Sequence, residues 1–259
     1  MTTQTQEAPK GPGDVTRFYD DLSDVYHLIY RDWEASISKQ AADIQRIITQ
    51  AFGPVTRIHD AAAGIGTQAL GLAKLGFNVS ASDISPEEIA RLRREAIARG
   101  VTCPAEVRDM RDLSGVGPVE VAVVLDNALP HLLTDEDILA ALRALHSIAA
   151  RGVVVSVRDY AAVDRTGRRS QLYDPKYVDG ELVTFFQIWE FRPESPVYDL
   201  KMYLVRDRDG QLTTRRWHTA YYAVTVDRLV ELFHQAGFAR VDVLREGFFQ
   251  PVLVGHINA

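Results

Sequence analysis

Between residues 55 and 157 the hydrophobic pattern changes period again and again, and this alternation constrains the fold more than any other feature of the chain. Residues 55–60, 77–83, 105–110, 119–125 and 153–157 read as strands. The last two are apolar almost throughout and rich in β-branched residues, as strands covered on both faces must be. Helical stretches fill the intervals. One runs over 67–75 and stops at Gly76. Another opens at Ser85-Pro86-Glu87-Glu88, a capping box with proline in the first turn, and its buried stripe is Ile89, Leu92, Ala96 and Ile97. Thr134 caps a third, with Ile138, Leu142, Leu145 and Ile148 on its apolar face. A further amphipathic helix over 34–51 precedes the first strand. Such alternation implies an α/β fold with a doubly wound, mostly parallel sheet.

After residue 157 the rhythm breaks. Residues 182–191, 197–206 and 211–222 look like strands with no helix between them, and Asp209-Gly210 is a hairpin turn. A helix over 225–236, stopped by Gly237, and two strands over 239–244 and 252–257 complete the pattern. The reading is a single domain over 15–259 with a mainly antiparallel insertion over 159–222. Residues 1–14 lack the apolar run of a secretory signal and are expected to be floppy. The insertion holds twelve of the 23 aromatic residues and balances ten acidic against ten basic side chains. That composition suits a lid over a small organic ligand, although the same aromatics could simply form the insertion's own core.

Charge and cysteine content narrow the partners. Lys plus Arg is 29 against 35 for Asp plus Glu, a formal charge of −6, which repels phosphate backbones and speaks against nucleic acid. No stretch reaches the roughly 18 apolar residues of a membrane span. Cys103 is the only cysteine, so no intrachain disulfide or thiolate metal cage is expected, and a reducing, cytoplasmic setting fits. No clustered His or acid pattern suggests a metal site. His59, inside the first strand, reads as a core histidine.

In doubly wound sheets ligands bind at the carboxyl ends of the strands, so the loop after the first strand matters most. It reads Asp60-Ala61-Ala62-Ala63-Gly64-Ile65-Gly66. Gly64 and Gly66 remove side chains where a ligand could approach the backbone, and the following helix offers unpaired N–H groups. With Ala69 the loop even satisfies the loose dinucleotide fingerprint G-x-G-x-x-[GA]. Asp60 discriminates between ligands. A carboxylate there would repel a pyrophosphate and attract the ammonium and sulfonium of S-adenosylmethionine. Asp83, ending the second strand, is placed to accept two ribose hydroxyls, and Asp109-Met110 after the third offers an acceptor for an adenine amino group and an apolar contact for the ring.

These motifs make the chain resemble the class I S-adenosylmethionine-dependent methyltransferases over roughly residues 15–259, through D-x-x-x-G-x-G, the second-strand acid and the third-strand D-M. The resemblance implies a Rossmann-like sheet of seven strands, the last antiparallel, and S-adenosylmethionine as cofactor with S-adenosylhomocysteine as product. It also implies that Ala62 of the loop and Ile84 after Asp83 touch the cofactor. A narrower resemblance is to the glycine and sarcosine N-methyltransferase group. There, a segment like Tyr19-Asp20-Asp21-Leu22 and Tyr26-His27-Leu28-Ile29-Tyr30 folds aromatics over the cofactor. The loop Leu125-Asp126-Asn127-Ala128-Leu129-Pro130-His131-Leu132 is similar to that group's L-G-N-S-F-A-H-L, so Leu125 and His131 are expected at the cofactor and Asn127 at the substrate. Asp126 stands where that group has glycine. Val157-Arg158-Asp159-Tyr160 resembles its H-R-N-Y, whose arginine holds a substrate carboxylate. Tyr160, with His218 and Tyr221 of the insertion, is expected on the acceptor's side.

The cofactor's sulfonium is already an activated leaving group, so the protein mainly aligns a lone pair and excludes water. An amine acceptor needs no strong base; a phenol or carboxylic acid would, and His131 is the candidate. The leading expectation is methylation of the amine of a small, carboxylate-bearing molecule. O- or C-methylation of an aromatic metabolite is the nearest alternative. The distant alternatives are a nicotinamide oxidoreductase, opposed by Asp60 and by the missing Tyr-x-x-x-Lys, and an S-adenosylmethionine-binding protein without transferase activity.

Overall fold

The computed structural model describes residues 14–258. The expectation for residues 1–14 thus lies outside the described residues except at Asp14, whose side chain accepts the Thr16 N–H and caps helix α1 (Val15–Leu22). A 3₁₀ turn (Tyr26–Ile29) leads into α2 (Trp33–Phe52). The alternating section follows as β1 (Arg57–Asp60), α3 (Thr67–Lys74), β2 (Asn78–Asp83), α4 (Pro86–Ala98), β3 (Ala105–Val107), β4 (Val119–Val124), α5 (Asp135–Ile148) and β5 (Ala149–Ser156). Five antiparallel strands come next: β6 (Arg168–Leu172), β7 (Lys176–Val178), β8 (Glu181–Arg192), β9 (Ser195–Arg208) and β10 (Gln211–Tyr222). The chain returns to the main sheet through α6 (Val226–Gln235), β11 (Arg240–Leu244) and β12 (Val252–His256).

The main sheet has seven strands in the order β11-β12-β5-β4-β1-β2-β3, with β12 antiparallel to both neighbours. This is the Rossmann-like methyltransferase arrangement. In β4, Val121 and Val123 enter the core beneath α2, α3 and α4, whereas Ala122 and Val124 enter the core beneath α5 and α6. Apolar cover on both faces is why β4 shows no polar alternation. Sequence order reverses between β1 and β4, and the crevice at their carboxyl ends is the place for a ligand.

The second sheet, β10-β9-β8-β6 with β7 added on β8, corresponds to the expected insertion. On β8 and β9 every second residue is buried, Phe185, Trp189, Tyr198, Leu200 and Met202 among them. These side chains join the same core as α5 and β5. Much of the insertion's aromatic content is therefore shared core.

Several boundaries differ from the expected ones. β6 is exposed at every position, and β7 is only three residues long, so neither carries the hydrophobic alternation that marks a strand. β3 stops at Val107, and β5 starts at Ala149 directly after α5. Ile97, expected in the buried stripe of α4, is 81% exposed. His59 is buried between the Ser80 and Ser82 hydroxyls at 2.9 and 3.0 Å, a satisfied core residue.

Candidate active site

A cleft of about 430 Å³ opens at the carboxyl ends of β1, β2 and β4. Its base is the glycine loop. Gly64 has φ +53°, and its N–H donates to Asp83 Oδ2 at 2.9 Å. Gly66, at φ +94°, has no room for a Cβ, which would stand 2.9 Å from Leu70 and Leu92. Asp60 is fully buried behind this loop rather than in the cleft wall; Ala62 and Gly64 form the wall. Its Oδ1 accepts one long bond from the Ala62 N–H at 3.4 Å, and its Oδ2 has no partner. Burial pushes its carboxyl up to about 7.

Asp83 and Ile84 line the cleft. Asp83 Oδ1 accepts the Ser85 N–H at 3.0 Å, so each carboxylate oxygen carries one loop bond and keeps lone pairs free. Burial raises its pKa. Beside it lies Glu88, also buried and lining the cleft, with Oε1 unpartnered; burial, with Asp83 nearby, pushes its carboxyl well up. Sequence reasoning missed Glu88 because its place in the capping box already explained it. Asp109 and Met110 line the far end. The Asp109 carboxylate is held by the Arg111 guanidinium, at 2.6 Å for the shortest contact, and by the Arg111 N–H, so its capacity for an adenine amino group is largely taken.

Tyr19, Tyr26 and Tyr30 cover the cleft from α1 and the turn after it. Burial holds all three phenols protonated. Opposite them the chain leaves β4 through Leu125 and two consecutive left-handed residues, Asp126 (φ +53°) and Asn127 (φ +64°). Aspartate therefore keeps a backbone conformation natural to glycine, at a cost of roughly 1–3 kcal/mol. The Asp126 carboxylate lines the cleft with only long hydrogen bonds, from Tyr30 at 3.4 Å and Gln250 at 3.5 Å. Asn127 does not line it. Its amide holds the Tyr160 hydroxyl (3.0 Å) and the Arg158 N–H (2.9 Å), bracing the ends of β4 and β5 against each other. His131 lines the cleft, with the Tyr19 hydroxyl 2.7 Å from Nε2 and the Tyr221 ring at 3.9 Å. Burial lowers its pKa to about 3, so the imidazole is neutral.

Past the end of β5, Arg158 lies outside the cleft wall among aromatics of the second sheet, its guanidinium 4.1 Å from the Trp189 ring and donating to the Tyr198 hydroxyl at 3.3 Å. Asp159 pairs with Arg245 at 2.6 Å instead, and Arg158 has no ion pair among the described residues. Tyr160 is wholly buried, bonded to Tyr198 at 3.0 Å. Tyr221 bridges Tyr198 and His131. His218 is not brought to the site: with Lys201 opposite, it occupies the other face of the second sheet and meets Asp199 at 3.0 Å. The alternation of β10 puts His218 and Tyr221 on opposite faces, a parity visible in their spacing.

A doubly wound sheet with a glycine loop, a strand-end acid and an aromatic cover defines a class I S-adenosylmethionine-dependent methyltransferase, and residues 58–152 match the methyltransferase domain family. With that match the chain is an S-adenosylmethionine-dependent methyltransferase acting on a small molecule. It is 24% identical to the glycine/sarcosine N-methyltransferase of Aphanothece halophytica over 208 residues, 75% of this chain and 69% of that one. Its fold is similar to that of Streptomyces venezuelae DesVI, with a TM-score of 0.77 and 18% identity over 90% of this chain and 96% of that chain. It is also similar to the sugar N-methyltransferase KedS8 from Streptoalloteichus, with a TM-score of 0.75 and 15% identity over 98% and 99%. The site fits the cofactor, since a buried carboxylate oxygen without a partner at Asp60 suits a nearby cation, and the glycine loop leaves room for a ligand at its backbone.

Proposed function

We propose that the protein methylates the amine of a small molecule that also bears a carboxylate. Arg158 carries this reading. A guanidinium half-buried among aromatics without an ion pair calls for an anionic partner, and its planar fork suits a carboxylate. The likeness to a glycine/sarcosine N-methyltransferase points the same way.

Bound S-adenosylmethionine supplies a methyl group already attached to a good leaving group. Asp83 and the Gly64 loop would hold its nucleoside end, with Asp60 behind the loop favouring its positive charge. Tyr19, Tyr26 and Leu125 would close over it and exclude water. His131, neutral and bonded to Tyr19, is poorly suited to take up a proton, so we assign it the positioning of that cover. Asn127 holds Arg158 and Tyr160 in register from behind. Tyr221, beside His131, would wall the acceptor's chamber, with the buried Tyr160 bracing Tyr198 behind it.

A second reading is favoured by the similarity to a sugar N-methyltransferase along almost the whole chain: an amino sugar as acceptor. A screen of amino acids, amino sugars, phenols and carboxylic acids for S-adenosylhomocysteine release separates the two. Carboxylate-bearing amines should react. Truncating one partner of a desolvated charge pair costs about 2–5 kcal/mol, so Arg158→Leu should raise the acceptor KM at least ~30-fold and leave the cofactor Kd unchanged. Amino sugars reacting in preference, with Arg158→Leu silent, would replace the first reading by the second.

A further inference from the structure

Two opposite charges near the cleft are left without a salt bridge, and they are not paired with each other. Arg158 is one; Asp126 is the other, its carboxylate held only by bonds of 3.4 and 3.5 Å. A half-buried carboxylate this poorly satisfied, on a left-handed backbone where glycine would sit without strain, is costly to keep. We propose that Asp126 receives the acceptor's ammonium group and its proton, so that Asp126 and Arg158 together select a zwitterionic amino acid.

The inference rests on the amine reading above and adds the residue that makes the amine nucleophilic. An alkyl amine with an ordinary pKa near ~10.4 is almost wholly ammonium at pH 7 and has no lone pair to offer. In the proposed step one ammonium proton passes to the Asp126 carboxylate, giving a carboxylic acid. The freed lone pair forms the new N–C bond while the methyl group's bond to sulfur breaks, its electron pair staying on sulfur. Charge balances, because the positive charge leaves sulfur and appears on the methylated nitrogen. Burial raises the pKa of Asp126, which makes it a better proton acceptor than an exposed carboxylate, and Arg158 works against that rise. The other ionisable groups facing it are the phenols of Tyr26, Tyr30, Tyr173 and Tyr221, all held protonated by burial, so Asp126 is the proton acceptor among them.

The test offers the proteinogenic amino acids and their N-methyl forms, each beside the amine lacking its carboxylate, such as sarcosine beside dimethylamine. The parent should methylate amino acids and not the matched amines. Asp126→Gly, which suits the left-handed backbone and should melt no lower than the parent, should cut kcat/KM for the best amino acid at least ~100-fold. It should also weaken calorimetric binding of that amino acid to the S-adenosylhomocysteine complex at least ~10-fold, with affinity for S-adenosylhomocysteine itself unchanged. In Asp126→Asn the ammonium must lose its proton to solvent, so kcat/KM should climb about tenfold per pH unit from pH 7 to 9 where the parent is flat. Amino acids methylated equally well by both variants with the parent's pH profile would overturn the role of Asp126 alone. Methylation of the matched amines as efficiently as of the amino acids would overturn the zwitterion selection. Methylation of no amine at all would remove the amine reading and this inference with it.

Discussion

Asp60 sits where the folded chain offers it a single long hydrogen bond, and its pKa is raised by burial to about 7. In the unfolded chain it titrates near ~3.9. Between those values the folded state holds a proton that the unfolded state has released, so the contribution of Asp60 to stability worsens as pH rises from about 4 to about 7. Asp60→Asn should therefore raise the melting temperature of the ligand-free protein at pH 8 and leave it unchanged at pH 4, while weakening S-adenosylmethionine binding. Melting curves and calorimetry at the two pH values check both halves. Asp83, which would bind the ligand, also braces the loop through the hydrogen bonds from the Gly64 and Ser85 N–H groups. Hydrogen bonds to charged groups contribute roughly 1.5–3 kcal/mol each, so Asp83→Ala should lower both the melting temperature and the S-adenosylhomocysteine affinity, and unchanged affinity would make Asp83 a brace only. The places of Gly64 and Asp83 at the cleft were legible because their spacing is dictated by strand ends and a tight loop, whereas Asp60, read as facing the ligand, lies behind that loop. Glu88 and Asp126 were not: a capping role already accounted for Glu88, and Asp126 resembled an ordinary loop substitution. The charge of Asp109 was legible, but not its capture by a neighbour two residues on.

At the scale of elements, the cover over the cleft is joined from distant parts. The Trp217 indole and the Arg215 guanidinium of β10 donate to the Asp21 carbonyl, Arg215 also pairs with Asp24 at 3.0 Å, and Arg91 of α4 donates to the Ser23 carbonyl. The Arg215–Asp24 pair is solvent-exposed and thus weak, so it would add little resistance to opening of the cover. Residues 15–30 and 211–222 should gain hydrogen-exchange protection together when S-adenosylhomocysteine binds, as a lid closing over its ligand requires. Equal protection with and without it would describe a rigid cover. The long strands β8, β9 and β10 were legible from their alternation and hairpin turn, whereas β6, with no buried side chain, is held by backbone pairing to β8 and carries no side-chain signal. Helix α1 is short, and its buried residues, Phe18 and Leu22, are too few to establish a period.

Across the whole molecule, the second sheet and the α5 side of the main sheet share one core, so they should unfold as one. Leu200, 2% exposed on β9, is a probe of that coupling. Leu200→Ala should cost about 2–5 kcal/mol and lower a single calorimetric transition by roughly 5–15 °C, whereas two separated transitions would mean that the second sheet is an autonomous unit. The same latch between α1 and β10 also sets an order of events during synthesis. Asp24 and Arg215 are separated by 191 positions, so at about 5–20 residues per second the helix waits ~10–40 s for its partner to emerge. Until then Phe18 and Leu22 lack the strand they dock beside, and the cleft lacks part of its wall. A ribosome-bound chain that already has its glycine loop should therefore bind a ligand poorly, and helix α1 should settle only after β10 has emerged.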